Sequence, residues 1–199
     1  NEGPRHTVYL DDFRIADGLV TAGEWLEFMA DGGYERPDLW LSDGWYAVQE
    51  QGWNAPGYWR DDGADGWTAF TLAGRRPIDR SEPVGHVSHY EADAFARWRG
   101  ARLPTEFEWE HAVASLGSAL HNVDDEVWQW TSSAYLPYPR FAPAAGAVGE
   151  YNGKFMSGQM TLRGGARVTP ADHTRATYRN FFPPGSRWMY GGVRLAADS

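Results

Sequence analysis

Ala101-Arg102-Leu103-Pro104-Thr105-Glu106-Phe107-Glu108-Trp109-Glu110 is the stretch on which the reading of this chain turns. Pro104 holds the residue before it in extended backbone. Thr105-x-x-Glu108 is then a capping box: the hydroxyl accepts from an orphan N–H of the first turn, and the carboxylate reaches back to the cap residue's own N–H. A helix therefore opens after Thr105 and carries Phe107, Trp109 and Ala112. The same device occurs at Thr21-x-x-Glu24 and Ser88-x-x-Glu91. The first of these helices places Trp25, Phe28 and Met29 on one face and stops at Gly32-Gly33. The second places Tyr90, Ala94, Phe95 and Trp98 together and stops at Gly100.

The rest is less periodic. Tyr34 to Pro83 holds Trp40, Trp45, Trp53, Trp59 and Trp67 among Gly, Asp and Pro, and reads as loop and short strands. Further strands are expected at Phe13–Ile15, Met160–Arg163, Thr174–Arg179 and Gly192–Leu195. These elements give one α+β domain over residues 1–199, with about three helices, few short strands and much irregular loop. A chain of 199 residues buries a sizeable core without staples, and it has no cysteine. Disulfides, thiolate metal sites and cysteine nucleophiles are thereby excluded. The 11 Trp, 10 Tyr and 9 Phe concentrate the apolar surface in rings that pin loops. A net charge of −9 disfavours nucleic acid as a partner. No apolar stretch approaches the roughly 18–20 residues of a membrane span. Neither a Gly-x-Ser-x-Gly elbow nor a phosphate-cradling glycine loop is present.

Three constellations carry chemically active side chains. His86-x-x-His89-x-Glu91 has the ligand types of a facial iron triad, but Glu91 already serves a capping box, so packed histidines are favoured over metal ligands. Asp124-Asp125-Glu126 lacks the calcium-loop pattern and reads as a solvated turn. Arg163, Arg167, Arg175, Arg179, Arg187 and Arg194 crowd the C-terminal part beside Tyr178, Phe181, Phe182, Trp188 and Tyr190. That composition suits a pocket for a carboxylate or a cation, and equally a set of arginines that pair with acids and hold loops, which is favoured.

Several strings in order resemble one family: Asn1-Glu2-Gly3-Pro4-Arg5-His6, His86-Val87-Ser88, Ala101 to Glu110, Val127-Trp128-Gln129-Trp130-Thr131-Ser132-Ser133, Leu162-Arg163-Gly164-Gly165 and Gly192-Val193-Arg194-Leu195-Ala196. They resemble the formylglycine-generating-enzyme, or sulfatase-modifying-factor, domain, and the likeness covers essentially the whole chain. It implies a variant of the C-type-lectin-like fold. Within that family the chain is most similar to the C-terminal domain of iron(II)-dependent sulfoxide synthases of ergothioneine biosynthesis. Gly32-Gly33-Tyr34-x-Arg36-Pro37-x-Leu39-Trp40, Gly149-Glu150-Tyr151-Asn152-Gly153-Lys154-Phe155-Met156 and Tyr178-Arg179-Asn180-Phe181-Phe182-Pro183-Pro184 carry this closer likeness.

The resemblance implies a domain that covers an iron(II) held by histidines of a separate N-terminal helical bundle, so the isolated chain is expected to be inactive. The implied substrates are Nα-trimethylhistidine and a thiol donor. Selenoneine synthases, which use a selenium donor, are near relatives, and a non-catalytic lectin-like binding module is the alternative of another class. The absence of cysteine separates the chain from formylglycine generation itself. Gln129 stands where some relatives carry a Glu that helps hold calcium, which speaks against a calcium site. The implied substrate-binding residues are Asn180 as a hydrogen-bonding group, Phe181 and Phe182 as walls, Arg187 as a carboxylate partner, and Tyr151 on the loop that carries a catalytic tyrosine in some relatives, whose own equivalent here is Val148. The implied location is cytoplasmic.

Overall fold

The computed structural model describes the backbone of residues 1–199 and the side chains of all of them except 65 and 147–150. All three capping boxes form. They open helices α1 (Ala22–Ala30), α3 (His89–Trp98) and α4 (Glu106–Leu116), each with the hydroxyl accepting from the Glu N–H and the carboxylate accepting from the cap N–H. Two further helices, α2 (Ser42–Gln51) and α5 (Ala147–Lys154), raise the number of α-helices above the expected three. The cap residue of α2, Leu41, has no side-chain capping bond, and Gly44, a poor helix former, lies in its first turn. Tertiary packing explains the element: a Cβ on Gly44 would lie 2.8 Å from Tyr90 Cβ, so the glycine lets α2 cross tightly over α3. Gly52 closes α2 in the left-handed region at φ 64°.

The strands form three sheets. β1 (Phe13–Ile15) pairs antiparallel with β9 (Ala196–Asp198), joining the two ends of the chain. β2 (Trp59–Asp61), β3 (Trp67–Thr71) and β4 (Gly74–Pro77) form an antiparallel meander inside the stretch expected to be mostly loop. The third sheet runs β7 (Asn180–Phe182), β6 (Met160–Gly164), β5 (Trp128–Ala134), β8 (Gly191–Gly192) in space. Thr174–Arg179, expected as a strand, is not one. Its carbonyls are taken by Arg163, whose Nη1 donates to Ala176 O at 2.8 Å and Tyr178 O at 3.4 Å, and a turn bond joins Tyr178 N to Arg175 O. The strand begins one residue later, at Asn180.

Strand alternation gives this third sheet two different faces. Trp128, Trp130 and Leu162 face α3 and the main core, where Trp130 Nε1 donates to Val87 O at 2.9 Å. The core continues through Trp25, stacked on Phe95 at 4.8 Å, into Phe28 and Trp98. Gln129 and Arg163 face α4, and that layer is buried and polar. Glu106 binds Arg163 and Arg179, and Gln129 accepts from Trp109 Nε1 and from Arg194 Nε.

Candidate functional site

Four of the five residues singled out for substrate binding, Asn180, Phe181, Phe182 and Tyr151, lie at the free edge of the third sheet, whereas Arg187 is held elsewhere, against Glu91, Ala55 and Trp53. β7 is its outer strand, in register with β6 through Leu162↔Asn180, Thr161↔Phe181 and Met160↔Phe182. The period of two then separates the three residues. Asn180 and Phe182 share the α3 face, and Phe181 takes the α4 face. Phe181 stacks on Tyr135 with centroids 4.0 Å apart and 11° between planes, and Tyr151 and Phe155 close around it at 6.3 and 5.9 Å. Tyr151 is 59% exposed. Asn180 Oδ1 accepts from Phe181 N at 2.9 Å. Phe182 meets Trp188 edge-to-face at 5.1 Å and 85°, and Trp188 is 63% exposed. Trp188, named in the sequence only as one of the aromatics among the C-terminal arginines and not as a substrate-binding residue, is an exposed indole beside Phe182. Its signal was available, since Trp188 lies six residues after Phe182, but only the fold brings the two rings together.

Beneath this edge lies fixed charge. Arg179 donates from Nε and Nη2 to the two oxygens of Glu106 at 2.8 and 2.9 Å, and its guanidinium lies 4.0 Å from the Tyr138 ring centroid and 4.9 Å from that of Tyr135. Arg163 donates to Glu106 and Glu110. Desolvation, followed by the charge of Glu106, pushes the Tyr138 phenol well above its ordinary range, so it stays a neutral donor to Glu106. Both guanidinium groups are committed inside the fold, with Arg163 Nε the one buried donor among them left unpartnered.

Arg187 is committed in the same way. Its Nε forms an ion pair with Glu91 Oε2 at 3.1 Å without hydrogen-bond geometry, its Nη2 donates to Ala55 O, and its guanidinium sits 4.4 Å over the Trp53 ring. Glu91 is fully buried and accepts from Tyr34 Oη at 2.6 Å and from Ser88 N and Oγ at 2.8 Å, so both its oxygens are already engaged within the fold. Desolvation raises the Tyr34 phenol further above its usual range. His89 is sealed against Trp130 and Tyr90, with neither ring nitrogen hydrogen-bonded. Burial pulls its imidazole down to about 4. His86, at φ 60°, lies between Tyr58 and Tyr190 at 4.7 and 4.5 Å and is also lowered by desolvation. It lines a cleft of about 90 Å³ with Tyr58, Phe70 and Tyr190. Among the described residues no three His, Cys, Asp or Glu side chains gather as a metal site. The described residues therefore offer no ligand set that fits a catalytic iron. Gln129 is occupied likewise: its Nε2 donates to the Asn122 and Val123 carbonyls, and Arg194 donates to those of Ala16, Asp17, His121 and Asn122. Val148 lies outside the described side chains. No helix among the described residues is long and apolar enough to cross a membrane.

Residues 1–122 match the model of the sulfatase-modifying factor enzyme 1-like domain. The chain belongs to this family. It is 35% identical to the hercynine oxygenase of Mycolicibacterium smegmatis over 100% of its own length and 56% of that protein, and 34% identical to the hercynine oxygenase of Mycobacterium tuberculosis over 100% and 55%. The formylglycine-generating enzyme of Streptomyces coelicolor is 34% identical over 56% of this chain and 39% of that protein. The chain thus spans about half the length of the hercynine oxygenases it matches. Among solved structures, Treponema denticola variable protein 1 superposes with a TM-score of 0.54 at 16% identity, over 94% of this chain and 84% of that one, which shows a shared fold.

Proposed function

We propose that residues 1–199 form a single domain that covers the substrates of a non-haem iron(II), O₂-dependent sulfoxide synthase acting on hercynine, Nα-trimethylhistidine, in ergothioneine biosynthesis. The observation that carries this reading is the aromatic edge of β7. Phe181, Phe182 and the half-buried Asn180 stand at a sheet margin with Tyr151 exposed beside them, in a chain alignable end to end with hercynine oxygenases. Rings at such an edge suit an imidazole and a quaternary ammonium, which is attracted to ring faces within about 6 Å. The iron(II) is held outside these residues, by an N-terminal helical-bundle domain of the same cytoplasmic enzyme. The reaction joins the sulfur of a thiol, cysteine or γ-glutamylcysteine, to C2 of the imidazole. One oxygen atom of O₂ ends on sulfur and the other leaves as water with the imidazole and thiol hydrogens.

The resemblance to selenoneine synthases leaves a selenium donor as the alternative. The deciding experiment incubates full-length protein with iron(II), O₂, hercynine and competing thiol and selenol donors, followed by mass spectrometry. A hercynine–cysteine or hercynine–γ-glutamylcysteine sulfoxide supports the reading. A selenium adduct moves the protein to the alternative donor, and hercynine returned unchanged makes the domain a lectin-like binding module.

A further inference from the structure

The loop that follows β7, Pro183 to Tyr190, is tied to the body on both sides of Trp188. Upstream, Pro184 O accepts from His89 N at 2.9 Å, and Arg187 is clamped between Glu91, Ala55 O and the Trp53 ring. Downstream, Met189 is buried in the core and Tyr190 O accepts from Trp128 N at 2.8 Å. Between the anchors Trp188 turns outward and meets Phe182 at 85°. The two rings make a corner, and the residue next to Trp188 is the clamped Arg187. Arg187 itself is poorly placed to meet a ligand. Its side chain is 18% exposed, and a ligand carboxylate would have to compete with a Glu91 that is fully buried and would be left unpaired.

We propose that Arg187 is a positioning residue. Its pair with Glu91 fixes the Pro183–Tyr190 loop, and Trp188 with Phe182 then forms the corner that takes the trimethylammonium group of the substrate. This rests on the hercynine reading above and adds to it both Trp188 as a binding wall and a role for Arg187 that involves no contact with substrate.

Two ligands separate the roles: hercynine, which carries a carboxylate, and tetramethylammonium, which does not. Full-length protein labelled with 5-fluorotryptophan is titrated with each and followed by fluorine NMR, the Trp188 resonance being assigned with Trp188→Phe. Arg187→Met is expected to weaken both ligands by the same factor, about tenfold, and to move the Trp188 resonance in the free protein. Arg187→Lys, which keeps a cation facing Glu91, restores part of both effects. Trp188→Ala combined with Arg187→Met is no weaker than Trp188→Ala alone, because the two act through one element. Where Arg187→Met fails to fold, Glu91→Gln serves instead: it keeps the capping geometry, removes the charge facing Arg187, and is expected to move the same resonance. Hercynine weakened while tetramethylammonium is untouched and the resonance stays in place would overturn the proposal and make Arg187 a direct carboxylate ligand. A wild type that binds neither ligand overturns the hercynine reading. A resonance left in place by both Arg187→Met and Glu91→Gln overturns the strut itself.

Discussion

His89→Leu should make the protein more stable, and increasingly so as the pH falls. His89 sits in the first turn of α3 with both ring nitrogens buried and unbonded, against the ring of Trp130. Desolvation dominates, outweighing the charge of Asp93 and the Thr131 carbonyl, and holds the imidazole pKa at about 4. In the unfolded chain the same group titrates near 6.5. Below that value the unfolded state binds a proton that the folded state refuses. Stability is therefore lost as the pH drops through 6.5, and the loss is complete only below 4. Between pH 7.5 and 4.5 this one residue costs about 2.5 kcal/mol, at roughly 1.36 kcal/mol per unit of pKa difference. Leucine has a similar volume and no proton to take up, and removing the orphan imidazole adds about 1 kcal/mol at neutral pH. Urea unfolding of both proteins, followed by tryptophan fluorescence at pH 7.5, 6.0 and 4.5, measures the gap between them. Carboxylates common to both largely cancel in the difference. The gap should widen by about 2.5 kcal/mol from the first pH to the last. A gap constant to within about 0.5 kcal/mol would refute the reasoning, because it would mean that the folded imidazole protonates as freely as the unfolded one.

Gly164→Ala should lower stability by more than about 2 kcal/mol in the same unfolding assay, since the position has φ 90° and its Cβ would lie 2.3 Å from Val123 O. Glu106→Gln leaves Arg163 and Arg179 buried and undercompensated, so a loss of about 3–5 kcal/mol is expected, with helix content below wild type in circular dichroism at 37 °C. Phe181→Ala removes the ring stacked on Tyr135 at 4.0 Å; calorimetry should show hercynine bound about tenfold more weakly by the full-length protein, while the melting temperature falls by only a few degrees.

What was legible in the sequence was local. Thr21, Ser88 and Thr105 announce their helices because a capping box closes within four residues, and all three form as read. α2 carries no such signal: Leu41 cannot cap, Gly44 argues against a helix, and the reason for both lies on α3, at Tyr90. Thr174–Arg179 has the composition of a strand but gives two of its carbonyls, at Ala176 and Tyr178, to Arg163, which lies 13 and 15 residues earlier on β6. At the candidate site the tripeptide 180–182 was visible, but the division of its side chains between two faces follows from pairing with β6. The corner with Trp188 sits on a loop held by Arg187, whose partner Glu91 read from the sequence as a helix cap or a metal ligand, not as an arginine's counter-charge.

The six arginines of the C-terminal part show why composition alone pointed two ways. Each is paired: Arg163 and Arg179 with Glu106, Arg167 with Glu126, Arg175 with Glu2, Arg187 with Glu91, and Arg194 with Gln129 and four backbone carbonyls. A buried ion pair is weak support for stability unless its remaining donors and acceptors are also satisfied. Here most of them are, and much of the satisfaction comes from loop carbonyls: Asn1, Leu136, Ala176 and Tyr178 around Arg163 and Arg179, and Ala16, Asp17, His121 and Asn122 around Arg194. Buried irregular backbone must find such partners. In a chain with no cysteine and long stretches outside helix and strand, guanidinium groups with several donors in a rigid fork gather those carbonyls at few points. Burial draws Arg194 down to about 10, still well above neutrality, so the group remains charged and keeps all its donors. The arginine-rich segment is thus bound up in holding loops, and under the proposed function recognition falls to rings at its margin: Phe181 and Phe182 of β7, with the exposed Trp188 beside them.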